Sequence, residues 1–144
     1  MIHLLLWKVY QKKQEWLWVG DDPDFLECCG TVKTSSAKAK GRRFQQWVRD
    51  QLIEQLNVHP EDIESRSMGA GGEDLIMARA ARNKFPYSIE CKNQESLNIW
   101  KAYEQATENS GDYEPVCFIK RNNQKPLVVV DAEYFVRLHN ELVD

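Results

Sequence analysis

The sequence has no apolar stretch long enough to cross a membrane, which takes roughly 20 consecutive apolar residues. The apolar N-terminal segment at residues 2–7 is too short, and it lacks the basic leader and small-residue cleavage site of a signal peptide. These absences predict a cytoplasmic protein without membrane contact. The 144 residues, 42% apolar and 28% charged, fit a globular domain of ordinary size.

Cysteine motifs that bind metals are missing as well. The four cysteines form neither a CxxC pair nor a Cys/His ligand spacing. Cys91 and Cys117 lie in apolar runs, which is typical of reduced core thiols. The adjacent Cys28–Cys29 pair allows metal binding or crosslinking, although ordinary thiols are favoured in a cytosolic protein. No Gly-Lys-Ser/Thr follows the glycines at 69–72, so a nucleotide-binding P-loop is not indicated.

A net positive charge is also absent, since the formal charge is −3 at pH 7. The distribution is more informative than the sum, because no acidic residue occurs between Thr31 and Arg49. The basic residues there are Lys33, Lys38, Lys40, Arg42, Arg43 and Arg49. Some of them stand near a predicted helix start, where the helix dipole disfavours cations. This pattern favours an external anion such as DNA phosphate, with a solvated surface as the alternative.

The first residues differ in composition from the rest of the chain. Residues 1–34 are predicted to be an N-terminal extension of unassigned role, with an aromatic-rich hairpin over 2–10 and 15–19. Small polar residues at 31–37 indicate a linker. Residues 35–144 are predicted to form the main domain.

The main domain is predicted to begin with a helix from about Lys38, with apolar residues at helical spacing from Phe44 to Leu56. The further predicted elements are strands at 63–67, 75–78 and 87–92, a helix at 97–109, strands at 116–119 and 127–130, and a helix at 134–142. Residues 79–86 are expected to be a polar connection, and Trp100 and Tyr103 to be core residues. The order predicts an α/β (α+β) fold with a mixed central sheet flanked by helices.

Charged and apolar residues alternate in the third predicted strand, so Ile89 and Cys91 would face the core and Glu90 and Lys92 the other side. Such a pair is often a plain charge pair. Asp74, however, begins the preceding strand, and pairing of the two strands would bring it close to Glu90. Two adjacent carboxylates repel unless a cation joins them, and their oxygens suit Mg²⁺. The ion can polarise a phosphodiester, and a neighbouring lysine can orient water and stabilise negative charge.

Residues 72–76 (GEDLI) and 89–94 (IECKNQ) together resemble the signature of PD-(D/E)XK nucleases. The helix opening at 40–44 (KGRRF) is similar to that of archaeal-type Holliday junction resolvases and small phage-encoded endonucleases. The resemblance spans residues 38–140. It implies a restriction-endonuclease-like αβββαβ core.

The resemblance also implies an active site. Asp74, Glu90 and Lys92 would be its catalytic residues. Asp74, Glu90 and the backbone carbonyl of Cys91 would hold Mg²⁺, for which Mn²⁺ is expected to substitute.

Two glutamines are auxiliary candidates. Many resolvases carry an additional glutamate in the first helix, at the position of Gln45 in this chain. A glutamine amide can hydrogen-bond a water but brings no charge, which leaves the number of metal ions open. Gln105, in the following helix, is the second candidate.

The expected function is that of a Mg²⁺-dependent endonuclease that hydrolyses phosphodiester bonds of branched DNA in phage DNA recombination or processing. Lys40, Arg42, Arg43 and Gln94 are expected to contact DNA. A homodimer would suit a four-way junction, which presents two symmetric cuts. One alternative is a restriction-like, nicking or homing endonuclease on linear duplex, and another is a DNA-binding module without catalysis. The retained Asp74, Glu90 and Lys92 argue against the last.

Overall fold

The computed structural model of the chain describes residues 34–67, 69 and 71–141. The chain divides into two units, Met1–Thr31 and Val32–Asp144, and all described residues belong to the second. The expected N-terminal hairpin and the Cys28–Cys29 pair lie outside them. None of the described helices combines the length and apolarity that a membrane crossing would require.

The described residues form a mixed α/β fold, as predicted. In chain order the elements are α1 (Thr34–Leu56), a 3-10 turn (Pro60–Asp62), β1 (Ile63–Ser65), β2 (Leu75–Met77), α2 (Arg79–Lys84), β3 (Tyr87–Asn93), α3 (Ile99–Asn109), β4 (Glu114–Lys120), β5 (Leu127–Val129) and α4 (Ala132–Glu141). Every helix and strand predicted within these residues is present, with bounds that differ by a few residues.

Two local predictions were wrong. Helix α1 starts at Thr34, so residues 34–37 are helical and do not form a linker. Helix α2 occupies Arg79–Lys84, where a polar connection was expected. Residues 79–84 (RAARNK) are rich in alanine, arginine and lysine, which favour the helix without giving an apolar periodicity. Residues 34–37 (TSSA) have no apolar periodicity either, and they extend the helix that the following residues form.

The strands form two small sheets. Strands β1 and β2 pair antiparallel, with Ile63 opposite Met77. Strand β4 lies between β3, to which it is parallel, and β5, to which it is antiparallel, so the second sheet is mixed. The amide of Asp74 donates a hydrogen bond to the carbonyl oxygen of Ile89 over 2.8 Å. This bond joins the β1–β2 hairpin to β3.

Helices cover both faces of the second sheet. The core cluster beside α1 comprises Phe44, Val48, Leu52, Ile63, Leu75, Met77, Ala81 and Ile89. On the other face, Ala102 and Ala106 of α3 pack against Cys117 of β4. Since side chains alternate along a strand, Ile89 points to α1 and Glu90 to α3. Helix α3 therefore lies over the charged side of β3.

The expected burial of Trp100 was wrong, because its side chain is 84% exposed. The face of α3 that meets the sheet carries Ala102 and Ala106, and Trp100 lies about 200° around the helix from Ala102. Tyr103 is partly buried against the same cluster, as predicted. Small residues let α3 approach the sheet closely, and the large aromatic side chain remains in solvent.

Candidate active site

Asp74 is fixed where strands β2 and β3 meet. Its carbonyl oxygen accepts a hydrogen bond from the amide of Arg66 over 2.8 Å, and its own amide donates to Ile89. Its carboxylate oxygen Oδ2 accepts from the amide of Cys91 over 2.7 Å. The carboxylate of Asp74 thus accepts the backbone hydrogen bond that the carbonyl of a neighbouring strand would otherwise accept from β3. This bond holds one carboxylate oxygen in a defined position.

Glu90 and Lys92 lie together on the side of β3 that α3 covers, as the alternation predicted. Lys92 Nζ is 2.6 Å from Glu90 Oε1, and Glu90 as a residue is 3% exposed. Lys92 Nζ also donates to Gln105 Oε1 over 3.0 Å. Asn109 Nδ2 donates to the other oxygen of Glu90, Oε2, over 3.4 Å. Two turns of one helix therefore contact the pair.

The electrostatics of the site are dominated by two carboxylates in a partly buried place. Burial, followed by the negative charge of Glu90, raises the pKa of Asp74 from 3.8 to about 6. The hydrogen bond from Cys91 and the positive charges of Lys92 and Arg66 lower that pKa without compensating fully. Additional positive charge at this place would stabilise the ionised carboxylates.

The donor atoms at this place fit a hard divalent cation. Asp74 and Glu90 offer carboxylate oxygens. In a strand the amide and carbonyl of one residue point to the same neighbour, so the carbonyl of Cys91 faces Asp74 as its amide does. Among the described residues no three His, Cys, Asp or Glu side chains come together. Two carboxylates and a carbonyl suit Mg²⁺, which commonly retains several waters.

The thiol of Cys91 is not a ligand candidate. Burial and the negative charges of Asp74 and Glu90 raise its pKa well above the ordinary 9.0. Its side chain also packs against the core cluster beside α1, on the opposite side of β3 from Glu90 and Lys92. Cys91 and Cys117 are both free cysteines, as the sequence predicted.

Gln45 reaches the backbone of Asp74 from the middle of α1. Its Nε2 donates to the carbonyl oxygen of Asp74 over 2.6 Å and to that of Arg66 over 3.2 Å. The residue is 2% exposed, and its Oε1 is buried without a hydrogen-bond partner among the described residues. The amide ties α1 to the strand ends that carry Asp74, so a carboxylate here would meet two carbonyl oxygens without a donor.

Sequence reasoning missed two residues at this site. Arg66 follows β1, and the register of the hairpin sets it opposite Asp74, where its positive charge lowers the pKa of Asp74. Asn109 lies four residues after Gln105, which is the spacing of neighbours on one helix face. The register of the hairpin could have indicated Arg66, and the spacing of four residues from Gln105 could have indicated Asn109.

The basic segment of α1 runs beside the end of β3. Asn93 Nδ2 donates a hydrogen bond to the carbonyl oxygen of Lys40 over 3.4 Å. This contact places the basic turn of α1, residues 40–43, next to Gln94. Arg42, Arg43 and Gln94 are exposed, and Lys40 is partly exposed. The dipole argument for an anion was wrong, because α1 begins at Thr34 and the dipole acts only on the first turn. The exposed positive charges of Arg42 and Arg43 beside the site remain a feature that suits an anion.

No protein-family model, curated protein or solved structure matches this chain. What the structure brings together is Asp74, Glu90 and Lys92, with Gln45, Gln105 and Asn109 around them.

Proposed function

We propose that this protein is a Mg²⁺-dependent DNA endonuclease with a restriction-endonuclease-like core and a PD-(D/E)XK active site. The supporting observation is the arrangement of Asp74, Glu90 and Lys92 around one place on β3. The carboxylate of Asp74 is held against β3 by the amide of Cys91, close enough to Glu90 for its charge to raise the pKa of Asp74. Lys92 contacts Glu90 at the same place.

The residues have distinct tasks in this proposal. Asp74 and Glu90 hold the ion, aided by the carbonyl of Cys91. When bound, Mg²⁺, or Mn²⁺ in its place, supplies Lewis-acid polarisation of a phosphodiester oxygen. The ammonium group of Lys92 orients the attacking water and stabilises negative charge that develops on the phosphate. Gln45 keeps the backbone of Asp74 in place.

DNA approaches from the side where the basic turn of α1 meets the end of β3. Lys40, Arg42 and Arg43 grip backbone phosphates there, and Gln94 contacts the strand near the cut. Phosphate contacts position an enzyme on DNA but carry no sequence information. The resemblance to Holliday junction resolvases implies branched DNA as the substrate, in phage DNA recombination or processing, with a homodimer making two symmetric cuts.

Cleavage is expected to require Mg²⁺ or Mn²⁺, while Ca²⁺ is expected to support DNA binding with little cutting. Ca²⁺ accepts the same oxygen ligands with looser geometry, and it is a weaker Lewis acid. The measurement is cleavage of supercoiled plasmid and of labelled junction DNA with each ion. Full activity in excess EDTA would contradict the proposal.

Branched DNA is expected to be bound more tightly and cut faster than linear duplex of equal length. The reason is the resemblance to Holliday junction resolvases, which implies a preference for branched DNA, together with phosphate contacts from the basic turn that carry no sequence information. The measurement is competition between a four-way junction and its linear arms at physiological salt, since low salt inflates every phosphate contact. Equal cleavage of both, or cutting at one duplex sequence only, would favour a restriction-like enzyme.

A further inference from the structure

The ammonium group of Lys92 is shared between two acceptors on different elements. One is Oε1 of Glu90 on the same strand, at 2.6 Å, and the other is Oε1 of Gln105 on α3, at 3.0 Å. An ammonium group has three donor hydrogens, so it can serve both acceptors at once. The two acceptors differ in charge, because one is a carboxylate and the other a neutral amide.

A divalent cation on Glu90 would change this balance. The ammonium group and the cation have charges of the same sign and use the same carboxylate, so Lys92 competes with the cation for Glu90. The amide of Gln105 attracts a divalent ion far less than a carboxylate does, and its hydrogen bond to Lys92 can persist. We propose that Gln105 is a positioning residue that retains Lys92 beside the site when a divalent cation displaces it from Glu90. This inference rests on the cation site of the proposed function.

The surroundings of Gln105 agree with such a role. Gln105 is exposed, while Ala102 and Ala106 make the contacts between α3 and the sheet. The side chain is thus not needed for packing. Asn109, one turn further, contacts Glu90, so the same face of α3 reaches both members of the pair.

The inference has a thermodynamic consequence that does not depend on DNA cleavage. Cation affinity depends on how much energy Lys92 loses when it leaves Glu90. Without a cation the ammonium group has both Glu90 and Gln105 as acceptors, whereas after displacement it keeps Gln105 and has lost Glu90, so the bond to Gln105 stabilises the cation-bound state more than the free state. Removal of the Gln105 oxygen therefore makes displacement harder and weakens cation binding. The effect must vanish when Lys92 is absent, because the amide then has nothing to hold.

The test is a double-mutant cycle on the full chain with Lys92→Met and Gln105→Met, read out as Ca²⁺ affinity by calorimetry without DNA. Lys92→Met is expected to tighten Ca²⁺ binding by about tenfold, because it removes the competing charge. Gln105→Met is expected to weaken binding by about fivefold, the size of one hydrogen bond. In the Lys92→Met background, Gln105→Met is expected to change nothing.

Lys101→Met is the matched control, because Lys101 lies one turn before Gln105 and is exposed. An equal gain in affinity from Lys101→Met and Lys92→Met would show a general charge effect and overturn the inference. So would the same effect of Gln105→Met in both backgrounds. If Lys92→Met fails to fold, the Gln105→Met arm decides alone, because unchanged Ca²⁺ affinity contradicts the inference.

The two proposals fail in different ways. Absence of Ca²⁺ and Mg²⁺ binding by the unaltered protein would overturn both the metal-dependent function and this role of Gln105. Ca²⁺ binding without coupling in the cycle would overturn the role of Gln105 alone. Coupling in a protein that cuts no DNA would support the role of Gln105 and contradict the nuclease.

Discussion

Replacement of Glu90 by glutamine is expected to lower Mg²⁺-dependent DNA cleavage by roughly a thousandfold or more, the scale seen when one preorganised electrostatic group is removed. Glutamine has nearly the same size and shape, so it fits the buried position. It lacks the charge that the proposed cation and Lys92 both use. The measurement is the single-turnover cleavage rate of junction DNA at saturating protein.

The matched control is Glu104→Gln, which removes one negative charge from an exposed position on α3. Its cleavage rate is expected to stay within about twofold of the unaltered protein, because solvent and salt screen an exposed charge. Thermal unfolding of both variants separates loss of chemistry from loss of fold. A folded Glu90→Gln variant that cleaves at the normal rate would remove Glu90 from the mechanism.

Replacement of Arg82 by methionine is expected to lower the free energy of unfolding by about 3–5 kcal/mol, the usual effect of removing one partner of a buried ion pair. Arg82 is 9% exposed and contacts the carboxylate of Glu73 and the carbonyl of Tyr87. Its guanidinium also lies 4.1 Å from the ring centre of Tyr113. Without it, Glu73 would be left charged in a largely buried place. Urea unfolding measures the loss.

Two variants test the cause of that loss. Arg79→Met removes an exposed arginine from the same short helix, and it is expected to change stability by less than about 0.5 kcal/mol. Adding Glu73→Leu to Arg82→Met is expected to restore part of the stability, since the unpaired charge disappears. If the double variant is less stable than Arg82→Met, burial of an unpaired Glu73 is not the cause.

The central part of the site followed from strand periodicity. Because side chains alternate, Glu90 and Lys92 had to share one side of their strand. The expected pairing of the strands that carry Asp74 and Glu90 was wrong in form, because β2 and β3 lie in separate sheets and the amide of Asp74 joins them through its bond to Ile89. The hydrogen bonds between side chains and the backbone could not be predicted from the sequence in the same way. That Gln45 binds the carbonyl of Asp74 depends on how α1 crosses the hairpin, a packing angle that periodicity does not define.

Helix α3 shows why residue type alone misled. Trp100 is large and apolar, so burial was expected, yet the small Ala102 and Ala106 occupy the face that meets the sheet. A close approach between helix and sheet selects small residues at the contact. Helix α2 was missed for a related reason, since Ala81 and Arg82 are buried there without an apolar stripe.

The bond from Gln45 to Asp74 joins residues 29 positions apart, and the bond from Lys92 to Gln105 joins a strand to a helix. Their assembly closes loops and costs chain entropy, so the set forms only when α1, the hairpin, β3 and α3 have packed together. A cation held there would bind the native state and not the unfolded chain, and would stabilise the native state by mass action. Under the proposed function, the lifetime of this protein in the presence of a protease would therefore lengthen as the concentration of free Mg²⁺ rises.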